Sequence, residues 1–217
     1  MAKQLSNPIG FVKLRQLLCW GLCLQLMMYT SGIRAEQAGA QLYAQKCSVC
    51  HGVAAQGNPQ LGSPALAGQD AAYLERQLHN FKNGIRGSDD ADTYGKQMAA
   101  SVSLVGESDW PLVSAYLATL EPGSSTASEG DAELGYKVFQ GTCSGCHGSD
   151  GQGNPALHAP RIAGLEPEYL LRQITHFQTG VRGANAEDRF GRQMAMMAST
   201  IRDPEQVKAI IAFLTAK

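Results

Sequence analysis

The clearest periodicity lies in residues 71–81, AAYLERQLHNF, where Leu74, Leu78 and Phe81 fall at i, i+4 and i+7 and make one apolar helical stripe. Leu170, Ile174 and Phe177 make the same stripe in a later segment. Residues 37–49 and 133–145 each predict a helix leading into a cysteine pair. In SDWPLVSAYLATL, Ser108 is the expected N-cap, and Pro111 falls in the first turn, where its missing N–H costs little. Asp203 and Pro204 open DPEQVKAIIAFL on the same plan. No strict alternation of apolar and polar residues runs long enough to predict a strand, and the Gly- and Pro-bearing stretches 52–68 and 148–164 read as irregular loops. The expected class is all-α.

The pattern repeats. Shifted by 96 positions against itself, the chain matches at 25 of the 52 positions from Cys47 to Met98 without a gap. QGNP recurs at Gln56–Pro59 and Gln152–Pro155, YLxRQ at Tyr73–Gln77 and Tyr169–Gln173, GxRG at Gly84–Gly87 and Gly180–Gly183. A single residue is gained before the last helix, where Tyr116-Leu117 answers Phe213-Leu214. Residues 121–131, EPGSSTASEGD, have linker composition. Two homologous domains are expected, at 36–120 and 132–217. Domains of about 85 residues with few helices bury little surface, so a staple such as a metal, a disulfide or a cofactor is expected in each.

Residues 1–35 differ in kind. They carry Lys3, Lys13, Arg15 and Arg34 and no acidic residue, around an apolar run from Leu17 to Tyr29. A basic segment followed by a short apolar core predicts an export signal, with cleavage expected after Ala35. The run is short of the roughly 20 apolar residues of a membrane span, and Gln25 interrupts it; retention as a tether stays open. Without this segment the chain has 14 basic and 19 acidic residues, a balance that excludes a strongly basic nucleic-acid face. Residues 36–121 hold nine acidic and five basic side chains, residues 132–217 eight and nine, so the two halves differ in charge.

Cys19 and Cys23 lie in the export segment, and every other cysteine belongs to one motif used twice: Cys47-x-x-Cys50-His51 and Cys143-x-x-Cys146-His147. Two cysteines at this spacing can bond the two vinyl groups of one porphyrin while the adjacent imidazole reaches the iron, the attachment signature of c-type haem. A redox disulfide or half a zinc site are the rival readings, but no second ligand pair at zinc-finger spacing follows either motif. Two covalent haem c groups are expected. Met98 and Met194, each 51 residues after the first cysteine of its motif and each preceded by Gly-(Lys/Arg)-Gln, are the candidates for the sixth iron position. Met196 and Met197 are rivals in the second half. Arg76, Arg172, Arg86 and Arg182 can pair with haem propionates or form inter-helix ion pairs. His79, His158 and His176 have no histidine at the paired position and are not expected as ligands.

These motifs, the PALAG and PRIAG segments, and YLERQLHNFKNGIRG with its partner resemble the cytochrome c4 family along the whole chain after residue 35. The resemblance implies two tandem class I cytochrome c domains, each a few helices wrapped around a covalently attached haem. It implies His51 and His147 as proximal iron ligands, and Pro64 and Pro160 as the residues whose carbonyls fix the histidine rings. The implied work is periplasmic electron transfer between redox proteins, such as membrane oxidase or reductase complexes and small electron carriers, with a terminal oxidase as the expected acceptor. Loose association with a membrane and the oligomeric state stay open. Two other readings compete: the dihaem subunit of a dehydrogenase, such as a flavocytochrome that oxidises sulfide, and a dihaem enzyme, a peroxidase or a thiosulfate-oxidising cytochrome. An enzyme needs an open or differently ligated iron, and both Gln-Met sites argue against it.

Overall fold

The computed structural model describes residues 34–216, so nearly all of the expected export segment lies outside the described residues. The first half contains helices α1 (34–46), α2 (Ser48–His51), α3 (Ala71–Lys82), α4 (Thr93–Val102) and α5 (Trp110–Thr119). The second half repeats them as α6 (Ala132–Thr142), α7 (Ser144–His147), α8 (Pro167–Thr179), α9 (Arg189–Ala198) and α10 (Pro204–Thr215). Among the described residues no strand forms; the only β pairing is one isolated bridge per loop, Asn58 with Ser63 and Asn154 with Ala159.

Each half closes where its first helix crosses its last, and a glycine sets the approach. A Cβ on Gly39 would sit 2.3 Å from the Leu112 carbonyl oxygen of α5, and one on Gly135 would sit 1.9 Å from that of Ala209 on α10. Only a residue without a side chain lets these backbones meet so closely. Aromatic rings pack beside both crossings, Tyr43 with Tyr116 at 6.0 Å and Phe139 with Phe213 at 5.2 Å between centroids. Leu74 and Leu170, from the two predicted stripes, are buried in the cores that form beneath. The loops are tied to the last helices by matched bonds: the Gly68 N–H donates to Leu117 O and the Gly164 N–H to Leu214 O.

Three local expectations need correction. The helices expected over 37–49 and 133–145 break at Cys47 and Cys143, whose φ values of −119° and −113° leave the helical range. The turns α2 and α7 then start afresh, which brings each motif histidine under its loop. Ser108 does not cap α5: Gly106 opens a short 3-10 turn, Glu107–Asp109, and the helix begins at Trp110 with no side-chain cap. Helices α4 and α9 were not anticipated at all. Their start signals were present, since the Asp92 and Asp188 carboxylates accept from the Gly95 and Gly191 N–H groups at 2.8 and 2.9 Å.

Candidate functional site

The two motifs open into one continuous cavity that runs between the halves and is lined by residues from both. Cys47, Cys50 and His51 reach it from one side, and Cys143, Cys146 and His147 from the other. His51 is buried and its Nδ1–H donates to the Pro64 carbonyl at 2.9 Å; His147 does the same to Pro160 at 2.9 Å. A carbonyl only accepts, so in both rings the proton is on Nδ1 and the Nε2 lone pair is left for a metal. Burial holds both imidazoles below the usual histidine pKa, against the opposing pull of the carbonyl bond, so they are neutral donors.

The first thiol of each motif is held away from the thiolate form. Burial, reinforced by Cys50, pushes Cys47 up to about 11, and burial also raises Cys143 despite the Thr142 hydroxyl. Disulfide oxidoreductases need the opposite, a thiol poised toward thiolate.

Met98 and Met194 are half-buried and line the cavity, carried there by α4 and α9. Met98 packs against the cluster of Phe81, Val102 and Trp110. Of the two rivals, Met196 is 64% exposed and does not reach the cavity, whereas Met197, 44% exposed, also lines it.

Between the halves lies a polar layer with two-fold pseudosymmetry. Arg86 donates to Gln77 Oε1 of its own half at 2.7 Å and to Gln173 Oε1 and Tyr169 Oη of the other at 3.0 and 3.2 Å. Arg182 mirrors this with Gln173 at 2.6 Å and with Gln77 and Tyr73 at 3.0 and 3.4 Å. Arg76 donates to the His158 carbonyl and lies over the Phe190 ring; Arg172 donates to the Gly62 carbonyl and lies over Tyr94. The inter-helix ion pairs considered for these arginines do not form: among the described residues, none of the four has a carboxylate partner within bridging distance. All four instead span the two halves, and each keeps a buried Nε–H without a partner. Burial alone would raise the Tyr73 phenol, but Arg182, Arg86 and Arg76 outweigh it and hold it below its usual range.

Of the remaining histidines, His158 also lines the cavity, while His79 and His176 do not. His79 packs edge-on to Trp110, His158 stacks on Phe190, and His176 Nδ1 lies 3.8 Å from Asp92. No helix among the described residues is long and apolar enough to cross a membrane.

The sequence profile of the family Cytochrome c matches residues 36–121 and again 132–216. Cytochrome c4 of Azotobacter vinelandii is 29% identical over 175 residues, covering 76% of this chain and 82% of its own. The thiosulfate dehydrogenase electron acceptor of Stutzerimonas stutzeri is 28% identical over 185 residues, 82% of this chain and 81% of its own. The crystal structure of reduced cytochrome c4 from Pseudomonas stutzeri superposes with a TM-score of 0.68 at 27% identity, covering 82% of this chain and 96% of that one. The chain thus belongs to the cytochrome c family, as two of its domains in tandem with a cytochrome c4-like architecture, and the family's cofactor in such a pair is two covalent haem c groups.

Proposed function

We propose that the protein is an electron carrier of the periplasm, in which Cys47 and Cys50 would bind one haem and Cys143 and Cys146 the other, with His51 and Met98, and His147 and Met194, as the side chains that would hold the two irons. The observation that carries this reading is the duplicated geometry: a neutral, buried imidazole with a free Nε2 and a thioether line the cavity in each half. The polar layer fits the group as well. Four arginines that lack carboxylate partners and keep unpaired buried Nε–H groups match the propionates that a pair of haems would bring, as charge-assisted hydrogen-bond acceptors.

Each haem, when bound, supplies a one-electron couple at its iron, and His/Met ligation holds that couple at high potential. The chain's residues do the rest. The Pro64 and Pro160 carbonyls fix the imidazoles, the apolar walls exclude water, and the Met98 and Met194 thioethers would serve as the second iron ligand in each half, competing with oxygen or peroxide. The acceptor is proposed to be a membrane oxidase or another periplasmic redox protein. The second reading, electron acceptor to a dehydrogenase, is favoured by the likeness to the Stutzerimonas protein of that name.

Addition of cyanide to the ferric holoprotein tests the carrier against an enzyme. No change in the spectrum at millisecond-to-second mixing times supports a carrier; rapid cyanide uptake at either centre contradicts it. Elution together with a flavin-bearing chain would place the protein as a fixed dehydrogenase subunit instead.

A further inference from the structure

The two domains treat each other's motif histidine differently. His51 donates to the carbonyl of the Pro64–Ala65 peptide, and the N–H of that same peptide, on Ala65, donates to Glu166 Oε2 of the other domain at 3.2 Å. His147 donates to the carbonyl of the Pro160–Arg161 peptide, and the N–H of that peptide donates to Gln69 Oε1 of the first domain at 2.9 Å. Gln69 Nε2 returns a bond to the Arg161 carbonyl at 2.9 Å. One histidine is therefore linked through a peptide to a carboxylate, and the other to a neutral amide.

Glu166 is placed for this contact at the expense of a local one. Its counterpart in the repeat, Asp70, caps α3 by accepting from the Tyr73 N–H at 2.8 Å. Glu166, in the same position before α8, makes no capping bond; one methylene longer, it crosses the interface. Gly57 admits it, since a Cβ there would lie 1.8 Å from Glu166 Oε1. Glu166 is 7% exposed as a residue, so water screens it poorly.

We infer that Glu166 and Gln69 are a crossed pair of positioning residues, each holding the peptide that orients the other domain's axial histidine, and that their difference in charge separates the two haem potentials. The inference rests on His51 and His147 as iron ligands. An anion accepting from the Ala65 N–H polarises the peptide, so the Pro64 carbonyl becomes a stronger acceptor and the His51 imidazole a better donor to the metal. The negative charge also favours ferric over ferrous iron directly. Both effects lower the potential in the first domain. Gln69 offers the same hydrogen bond without the charge, so the effect on the second domain is small.

Optical redox titration of the full holoprotein with both haems tests this, each midpoint being assigned to its domain by nuclear Overhauser contacts between haem and protein. Glu166→Gln keeps an acceptor in place, so a purely structural role leaves both potentials unchanged. The relay instead requires the first-domain midpoint alone to rise, by about 59 mV if the reduction constant changes tenfold. Gln69→Glu is the converse, lowering the second-domain midpoint alone, and serves should the first variant fail to fold. Shifts of neither midpoint, or of both alike, in variants that keep two low-spin haems would overturn the relay while leaving the ligands standing. A high-spin wild-type spectrum would overturn the histidine–methionine ligation itself, and the relay with it.

Discussion

Met98 and Met194 can be separated from their neighbours by single substitutions, because a thioether bonded to ferric iron gives a weak far-red absorption band that a core methionine does not. Met98→Ala should remove half of that band and lower one midpoint sharply while sparing the other, and Met194→Ala should remove the other half. Met196→Ala and Met197→Ala should leave the band intact, in keeping with their exposure. Residues set at fixed local spacing were legible in the chain as groups that belong together, namely the cysteine pairs, the adjacent histidines and the repeated Gln-Met, and the structure lines one cavity with them. Glu166 was not, since its substitution for Asp70 in the repeat looks conservative. Its distinct role arises only because the opposite domain presents Gly57 and Ala65 to it.

At the scale of elements, the helix crossings decide whether each domain closes. Gly135→Ala places a methyl against the Ala209 carbonyl, and overpacking of this kind costs about 1–3 kcal/mol. Urea unfolding of the holoprotein should show that loss, whereas Gly141→Ala on the same helix, with open space around its Cβ, should be neutral or stabilising by up to about 1 kcal/mol. Helices with a continuous apolar stripe, α3 and α8, were readable from periodicity. Helices α4 and α9 were not, because both are short and their buried positions are mostly small, Gly95 with Val102 on α4 and Gly191 with Ala198 on α9. The expected Ser108 cap failed for a different reason: Gly106 starts the turn earlier, so the serine is spent inside a 3-10 turn.

At the scale of the whole molecule, the interface joins the domains through buried arginines that the sequence left between two roles. Arg86→Met strips a donor from Tyr169, Gln77 and Gln173; the two amides keep Arg182, so the cost falls on the Tyr169 hydroxyl, about 1–3 kcal/mol, measurable by denaturation. If Arg86 also faces a propionate, loss of its positive charge should lower a haem midpoint, visible in the same protein. The uneven charge, nine acidic and five basic side chains over 36–121 against eight and nine over 132–217, gives a test of whether the first domain steers docking. Electron exchange with a small cationic redox protein should slow steadily as salt rises toward about 0.15 M, where the Debye length is about 8 Å; a rate independent of salt would argue against steering by the first domain. The pairing of two similar domains was plain from the repeat, but the layer between them was not, since no periodicity encodes which surface meets which. The measurement that bears most directly on the whole reading is a redox titration of the purified holoprotein followed optically. Two one-electron steps at high potential, with low-spin spectra before and after each, are expected; a single step, or a ferric form that is high-spin at either centre, would contradict paired histidine–methionine haems.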